Sequence, residues 1–468
     1  MFEPQVYEAR RSALRGCLKG GLLLMLGAQQ ASMNYRSNVY PFVQDGSFAY
    51  FFGLRLPDLI GLIDLDAGED WLFGTEMDLE SLVWQGPLPS LADRAACVGV
   101  RRTASLTALS SRLRLANLQK RNIHFTPPYR GQAALQLSEL LDRHPSAVCQ
   151  GASEALIRAI VSLREIKDDG EIAQIEAALA VTDEMHRAAM AATRPGVFER
   201  EVVAEMERVL RRRDWQPAYP FIFSKRGEIL HNQDYSNRLQ SGDIVINDSG
   251  SCSGLGYASD ITRTLPVSGQ FSTRQRQLYE LVLASQEAAI TAMRPGMPFI
   301  DLHKLAMTTL VDGLIGLGVF RGDPREIVET GAYAIVCPAG LGHQLGLDVH
   351  DMEGLGEDFV GYDETVRRSN LFGMDRLRMA KRLKPGMVTT IEPGLYFIPA
   401  LIESWAKQRR FADLINYDRL RTYMDARGLR VEDDVLTTAT GSRILGPPIP
   451  RTADEIEAAM AAARESRT

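Results

Sequence analysis

Cysteine is scarce in this chain, and the few present do not pair up. Cys17, Cys97, Cys149, Cys252 and Cys337 are odd in number and widely spaced. None stands in a Cys-x-x-Cys spacing, so a disulfide framework and a thiolate-zinc site are both disfavoured, and a reducing cytoplasm is the expected setting. Long apolar runs are missing as well. The longest near the N-terminus, Leu22-Leu-Leu-Met-Leu26, is far too short to span a bilayer and starts too deep for an ordinary signal peptide. It reads as a buried strand, and no membrane partner is expected. No basic run stands out, and a formal net charge of -6 disfavours a nucleic-acid partner.

What is present is the composition of a globular protein, with 45% apolar and 24% charged residues over 468 positions. That length exceeds one ordinary core and points to two domains. Residues 1–158 alternate short strand-like runs, such as Leu22–Leu26 and Leu59–Leu65, with helical ones such as Gln132–Leu141. The pattern changes near Arg164–Glu171. From there to Thr193 an Ala- and Glu-rich amphipathic helix is expected, with Ile172, Ile175 and Leu179 on one face and Ala178, Val181 and Met185 beside them. The boundary is placed just before it, giving domains 1–158 and 159–468, both of an α/β (α+β) class. The segment from Ala453 onward reads as a charged helix that packs little.

The second domain carries an internal echo. Arg194-Pro-Gly196 and Arg294-Pro-Gly296 each end an Ala-rich helix and precede another helical stretch. Gly242–Asp248 and Gly386–Glu392 each place an acid at the end of an apolar strand. A duplicated helix-helix-strand unit would put Asp248 and Glu392 at related positions.

Five residues in short, mostly glycine-flanked segments read as one metal site: Asp248, Asp260, His343, Glu392 and Glu432. Four carboxylates and an imidazole suit hard or borderline divalent ions. Alternation sets Asp260, Thr262 and Thr264 on one strand face, and Arg430, Glu432 and Asp434 on another, so Arg430 is expected to orient Glu432. Clustered without cations, the acids would repel and some would protonate. Two divalent ions balance four negative charges, and such a pair activates water for hydrolysis. Each acid alone is most simply a solvated surface residue; their ordered combination is what carries the reading.

That ordered combination resembles the proline-directed pita-bread metallopeptidases, aminopeptidase P and prolidase. The motifs are Asp248-Ser-Gly250, Ser259-Asp-Ile-Thr-Arg-Thr264, Gly342-His-Gln-Leu-Gly-Leu-Asp-Val-His-Asp351, Ile391-Glu-Pro-Gly394 and Arg430-Val-Glu-Asp-Asp434. Tyr35–Phe42 and Ser47–Gly53 are similar to the creatinase-type N-terminal domain of the same branch. The resemblance implies that Asp248 chelates one metal, that Asp260 and Glu432 bridge two, and that His343 and Glu392 bind the second. It implies a catalytic set of His231 near the scissile bond, His350 steadying the tetrahedral intermediate, and Glu392 handling the proton of the attacking water. Manganese is the implied metal, with cobalt and zinc as alternatives. A small peptide substrate and a homodimer or higher homo-oligomer are also implied.

An Xaa-Pro bond has no amide hydrogen, so ordinary exopeptidase contacts to that group fail and a pocket for the pyrrolidine ring is required. A dipeptidase must also capture a free carboxylate, for which arginine is the natural partner. Arg378 falls where prolidases carry one, and the stretch Pro399–Arg427 is similarly prolidase-like; a solvated basic cluster of Arg376, Arg378, Lys381 and Arg382 is the plain alternative. Arg378 and Arg430 are thus the candidate substrate-binding arginines. The chain departs from the family at Ala339, where a histidine is common, at a shortened loop Phe223–Ile229, and at Asn232. The expected function is therefore metal-dependent hydrolysis of Xaa-Pro bonds, as a dipeptidase or an N-terminal aminopeptidase. The alternative is a pita-bread hydrolase acting on a non-proline or non-peptide substrate. A scaffold that merely kept the fold would tend to lose ligands, and all five are here.

Overall fold

The computed structural model describes residues 1–465. The chain divides into two compact units, Met1–Glu165 with Met352–Val360, and Ile166–Asp351 with Gly361–Thr468. No helix among the described residues is long and apolar enough to cross a membrane.

The first unit is built on a five-stranded sheet in the order Arg102–Ala104, Glu69–Phe73, Ile60–Asp64, Leu22–Leu26, Ile123–His124. The unbroken apolar run Leu22–Leu26 becomes an inner strand because both of its faces are covered; Leu22, Leu23 and Leu24 are all buried. It pairs antiparallel with Ile60–Asp64, Leu24 opposite Leu62. Leu109, Leu113, Leu137 and Leu141, from the helices Leu106–Leu118 and Gly131–Leu141, pack on one face of this sheet.

The second unit opens with the expected long helix, Asp169–Ala192, which starts at a capping box. Glu171 N donates to Asp168 Oδ1 at 2.8 Å, and Asp168 N donates to Glu171 Oε2 at 3.1 Å. Ile175, Ala178, Leu179, Val181 and Met185 form its buried face. The helix pairs with Glu199–Arg211, and Thr273–Ala292 pairs in the same way with Phe299–Gly316.

The internal echo is a real repeat in three dimensions. Gly196 N donates to Leu239 O at 2.8 Å, and Gly296 N donates to Leu383 O at 2.8 Å. Arg238 Nε donates to Gly196 O, and an Arg382 NH group donates to Gly296 O, both at 2.8 Å. Phe198 bridges Arg238 as Pro298 bridges Arg382. Gly242 and Gly386 then make the same left-handed turn, each with φ 89°, before the strands that lead to Asp248 and Glu392. The two acids occupy equivalent places because the same turn launches both strands.

The C-terminal segment differs from its expectation. Ala453–Glu465 is a helix, but Ala453, Ile456 and Met460 are buried in the main core of this unit. Their spacing places all three on one stripe, and a high content of charge on the remaining positions hid it.

Candidate functional site

Asp248 ends the strand Ile244–Ser249, and Asp260 immediately precedes Ile261–Pro266. The two strands are antiparallel with Thr262 opposite Asp248. The connecting stretch folds back on itself through a bridge between Cys252 and Ala258. A Cβ on Gly250 would lie 1.8 Å from Ser259 O, so only glycine permits that approach. The carboxylates end close enough for the Tyr219 hydroxyl to contact both, donating to Asp248 Oδ1 at 2.5 Å and reaching Asp260 Oδ1 as well.

Glu432 arrives from the other half of the unit, between the strands Gly428–Arg430 and Asp433–Thr437. Its backbone N donates to Thr262 O at 3.1 Å, and the Thr262 hydroxyl donates to Glu432 Oε2 at 2.5 Å. His343 and Glu392 are tied together by Thr390, whose hydroxyl lies 3.1 Å from His343 N and 3.2 Å from Glu392 Oε1. Gly342 is required beside His343, because a Cβ there would lie 2.0 Å from Thr390 O. His343 Nδ1 donates to Gln344 O at 3.1 Å, which turns Nε2 toward Asp260 and Glu392, 3.5 Å from an oxygen of each.

Ligand-capable atoms of Asp260, His343 and Glu432 all lie within 4.8 Å of one another. Burial pushes the Asp248 carboxyl up to about 7, aided by Asp260 and Glu392 and opposed by Arg430. Burial also raises Glu392, and raises Glu432 far above the carboxylate range. Asp260 alone is held low, because the hydrogen bond and charge of His343 outweigh burial. Burial by itself would lower His343, yet Asp260 and Glu392 carry it up to about 9. Four acids at this spacing do not all ionise without added positive charge. The donor set therefore fits divalent cations, which would supply that charge.

The five residues line one cavity of about 470 Å³, and His231, His350, Arg378 and Arg430 line it too. Partial desolvation, then the charges of Arg430 and Arg378, hold the exposed His231 below its ordinary value. The His350 ring stacks on His343 with centroids 3.9 Å apart and planes at 21°. Ala339 and Pro338 form part of the wall with Tyr219, Pro220 and Ile222.

Residues 173–439 match Metallopeptidase family M24, and residues 7–124 match the aminopeptidase P N-terminal domain. The chain belongs to metallopeptidase family M24. It is 30% identical to Homo sapiens "Xaa-Pro dipeptidase", covering 94% of this chain and 89% of that one. It is also 30% identical to Escherichia coli "Xaa-Pro aminopeptidase", covering 98% of each. The solved structure of Escherichia coli aminopeptidase P in complex with substrate superposes with a TM-score of 0.80, at 28% identity and 99% coverage of both chains. Proline aminopeptidase P II from Yersinia pestis gives a TM-score of 0.80 at 28% identity, covering 98% of this chain and all of that one.

Within this M24 fold, Arg430 sits beside Glu432 and also holds other partners. Arg430 Nε lies 3.9 Å from Glu432 Oε2, beyond a hydrogen bond. Its guanidinium also pairs with Asp248, donates to Tyr396 Oη at 2.8 Å and donates to Thr262 Oγ1 at 3.0 Å. It faces Glu432 directly as an ion pair, and also through Thr262, which donates to that carboxylate.

Sequence reasoning passed over Tyr219 and Arg263, and gave Thr262 and Asp434 a strand face but no hydrogen-bonding role. Arg263, fully buried, donates to Asp433 Oδ1 at 2.7 Å and to Glu432 O at 2.6 Å, fixing the backbone at Glu432. Asp434 Oδ2 accepts from Asp260 N at 3.0 Å. Arg263 and Asp434 lie inside the quoted motifs, and that was the available signal; Tyr219 lies outside all of them.

Proposed function

We propose that this metallopeptidase hydrolyses Xaa-Pro bonds and prefers dipeptides with a free C-terminal proline. One observation carries the reading: a single cavity holds the five-residue donor set together with His231, His350 and Arg378. Its relatives, named Xaa-Pro dipeptidase and Xaa-Pro aminopeptidase, share the Xaa-Pro bond.

In this reading Asp248, Asp260, His343, Glu392 and Glu432 hold two divalent cations, manganese first, with cobalt or zinc as substitutes. When bound, those ions supply Lewis acidity toward the peptide carbonyl and water. The chain's own groups do the rest. Glu392 accepts the proton of the attacking water on its carboxylate, a task suited to an acid that lines the cavity beside His343. His231 and His350 donate hydrogen bonds toward the charge developing on the carbonyl oxygen. Arg378 clamps the proline carboxylate in a two-pronged contact. The cyclic residue sits against apolar wall such as Pro338 and Ala339. A homodimer in the cytoplasm completes the reading; the free state of all five cysteines supports the compartment.

The test is paired turnover of Ala-Pro and Ala-Pro-Ala by manganese-loaded protein, with chelation by EDTA as the control. Metal-dependent cleavage of the dipeptide with little of the tripeptide is expected. Preference for the tripeptide would make the enzyme an aminopeptidase and remove the clamp. Cleavage of neither would sink the proline reading and point to a different amide.

A further inference from the structure

The segment Gln344–Asp351 follows His343, carries His350 and closes on itself. Asp351 N donates to Gln344 O at 2.9 Å, and Gly346 N donates to Asp348 O at 3.1 Å. The Asp351 carboxylate lies inside this closed loop. Its Oδ1 accepts from Asp348 N at 3.4 Å, and its Oδ2 lies 2.4 Å from where a Cβ on Gly346 would be. The loop is thus wrapped round a carboxylate, with no space left for a side chain at Gly346.

Lys167 meets that carboxylate from outside the loop. Its Nζ donates to Asp351 Oδ2 at 3.0 Å, with side-chain exposures of 1% and 2%. Lys167 is itself held on both sides: its backbone N donates to Gly386 O at 2.9 Å, and the next residue, Asp168, caps the helix Asp169–Ala192. Gly386 is the turn that launches the strand toward Glu392. One buried cation therefore links the start of the long helix, the turn before Glu392 and the loop that carries His350.

We propose that Lys167 is a positioning residue for His350, acting through Asp351 to hold the loop closed and the His343–His350 stack in register. This rests on the cavity being the hydrolytic site. The physical reason is the asymmetry of buried ion pairs. Removing one partner leaves a desolvated charge, which is strongly unfavourable, whereas removing both charges is far milder. Without Lys167 the buried ion pair at Asp351 is broken, and the tie that holds the loop closed directly beside His350 is lost.

The experiment compares manganese-loaded wild-type protein with Lys167→Met and with Lys167→Met/Asp351→Asn. Metal content, kcat and KM for Ala-Pro, and a crystal structure are measured for each. Lys167→Met is expected to keep its metal and hold KM within about twofold, while kcat falls about 10- to 100-fold. Its His343 and His350 rings should no longer stack. The double variant should fold readily and recover part of the lost kcat, a non-additive result. A Lys167→Met protein with a lowered melting temperature but wild-type kcat and an intact stack would overturn the proposal. Should that single variant fail to fold, wild-type kcat and an intact stack in the double variant would overturn it equally. If the wild-type protein cleaves no Xaa-Pro peptide, the functional reading fails, and the ring geometry still decides the positioning role.

Discussion

Thr262 donates its hydroxyl to Glu432 at 2.5 Å across 170 residues of chain, and accepts from Arg430 Nε at 3.0 Å. One fully buried hydroxyl thus links a buried arginine to a metal-ligand candidate. Thr262→Val keeps the shape and removes the relay. Supporting hydrogen bonds of this kind are worth about 10- to 100-fold in metal affinity or activity. Calorimetric titration with manganese should show weaker binding in the variant, with melting temperature changed little.

Arg378 gives a prediction about substrate form. Arg378→Gln should lower kcat/KM for Ala-Pro by about 10- to 100-fold, the worth of a charge-assisted contact. Hydrolysis of Ala-Pro amide, which has no carboxylate, should barely change. Equal losses on both substrates would assign Arg378 a general structural role.

Protonation of buried histidine sets a pH dependence of stability. His303 is fully buried and accepts or donates one contact, to Tyr333 Oη at 2.8 Å. Burial, then Lys304, holds it down to about 3, against an ordinary 6.5. Between those values the unfolded chain binds a proton that the folded chain does not. Stability contributed by neutral His303 is therefore present above about 6.5 and is lost as pH falls toward 3, by up to about 1.4 kcal/mol per pH unit. His186, held near 3 mainly by burial, adds a second slope of the same sign. Urea unfolding of His303→Gln from pH 7 to pH 4 should show a shallower dependence than wild type by about one histidine's share.

The last helix supplies a stability prediction. Ile456 is fully buried, as is Met460 one turn on. Ile456→Ala should cost about 2–5 kcal/mol in urea unfolding, the usual range for a buried aliphatic truncation. A cost near zero would return the helix to the loosely packed surface segment suggested by its charge.

Much of this protein was legible in its residues because the signals are local. Leu22–Leu26 is apolar throughout and becomes an inner strand; Arg-Pro-Gly and the acid-ended strands repeat, and so do the turns they build. Asp248, Asp260, His343, Glu392 and Glu432 stand in short motifs, most beside glycines such as Gly250 and Gly342 whose lost side chains leave room for the neighbouring backbone. Backbone periodicity and steric exclusion act within a few residues, so a linear reading captures them.

Tertiary structure decided what depends on register between distant elements. Tyr219 belongs to no motif, yet its hydroxyl spans Asp248 and Asp260. Arg430 shares a strand face with Glu432, yet also pairs with Asp248, a residue 182 positions away. The His343 and His350 rings stack, and the Asp351 that follows them pairs with Lys167, far away in sequence. The reason is common to all three. A side chain's type sets which contacts it favours, but only packing of the whole chain sets which partner lies within hydrogen-bond reach.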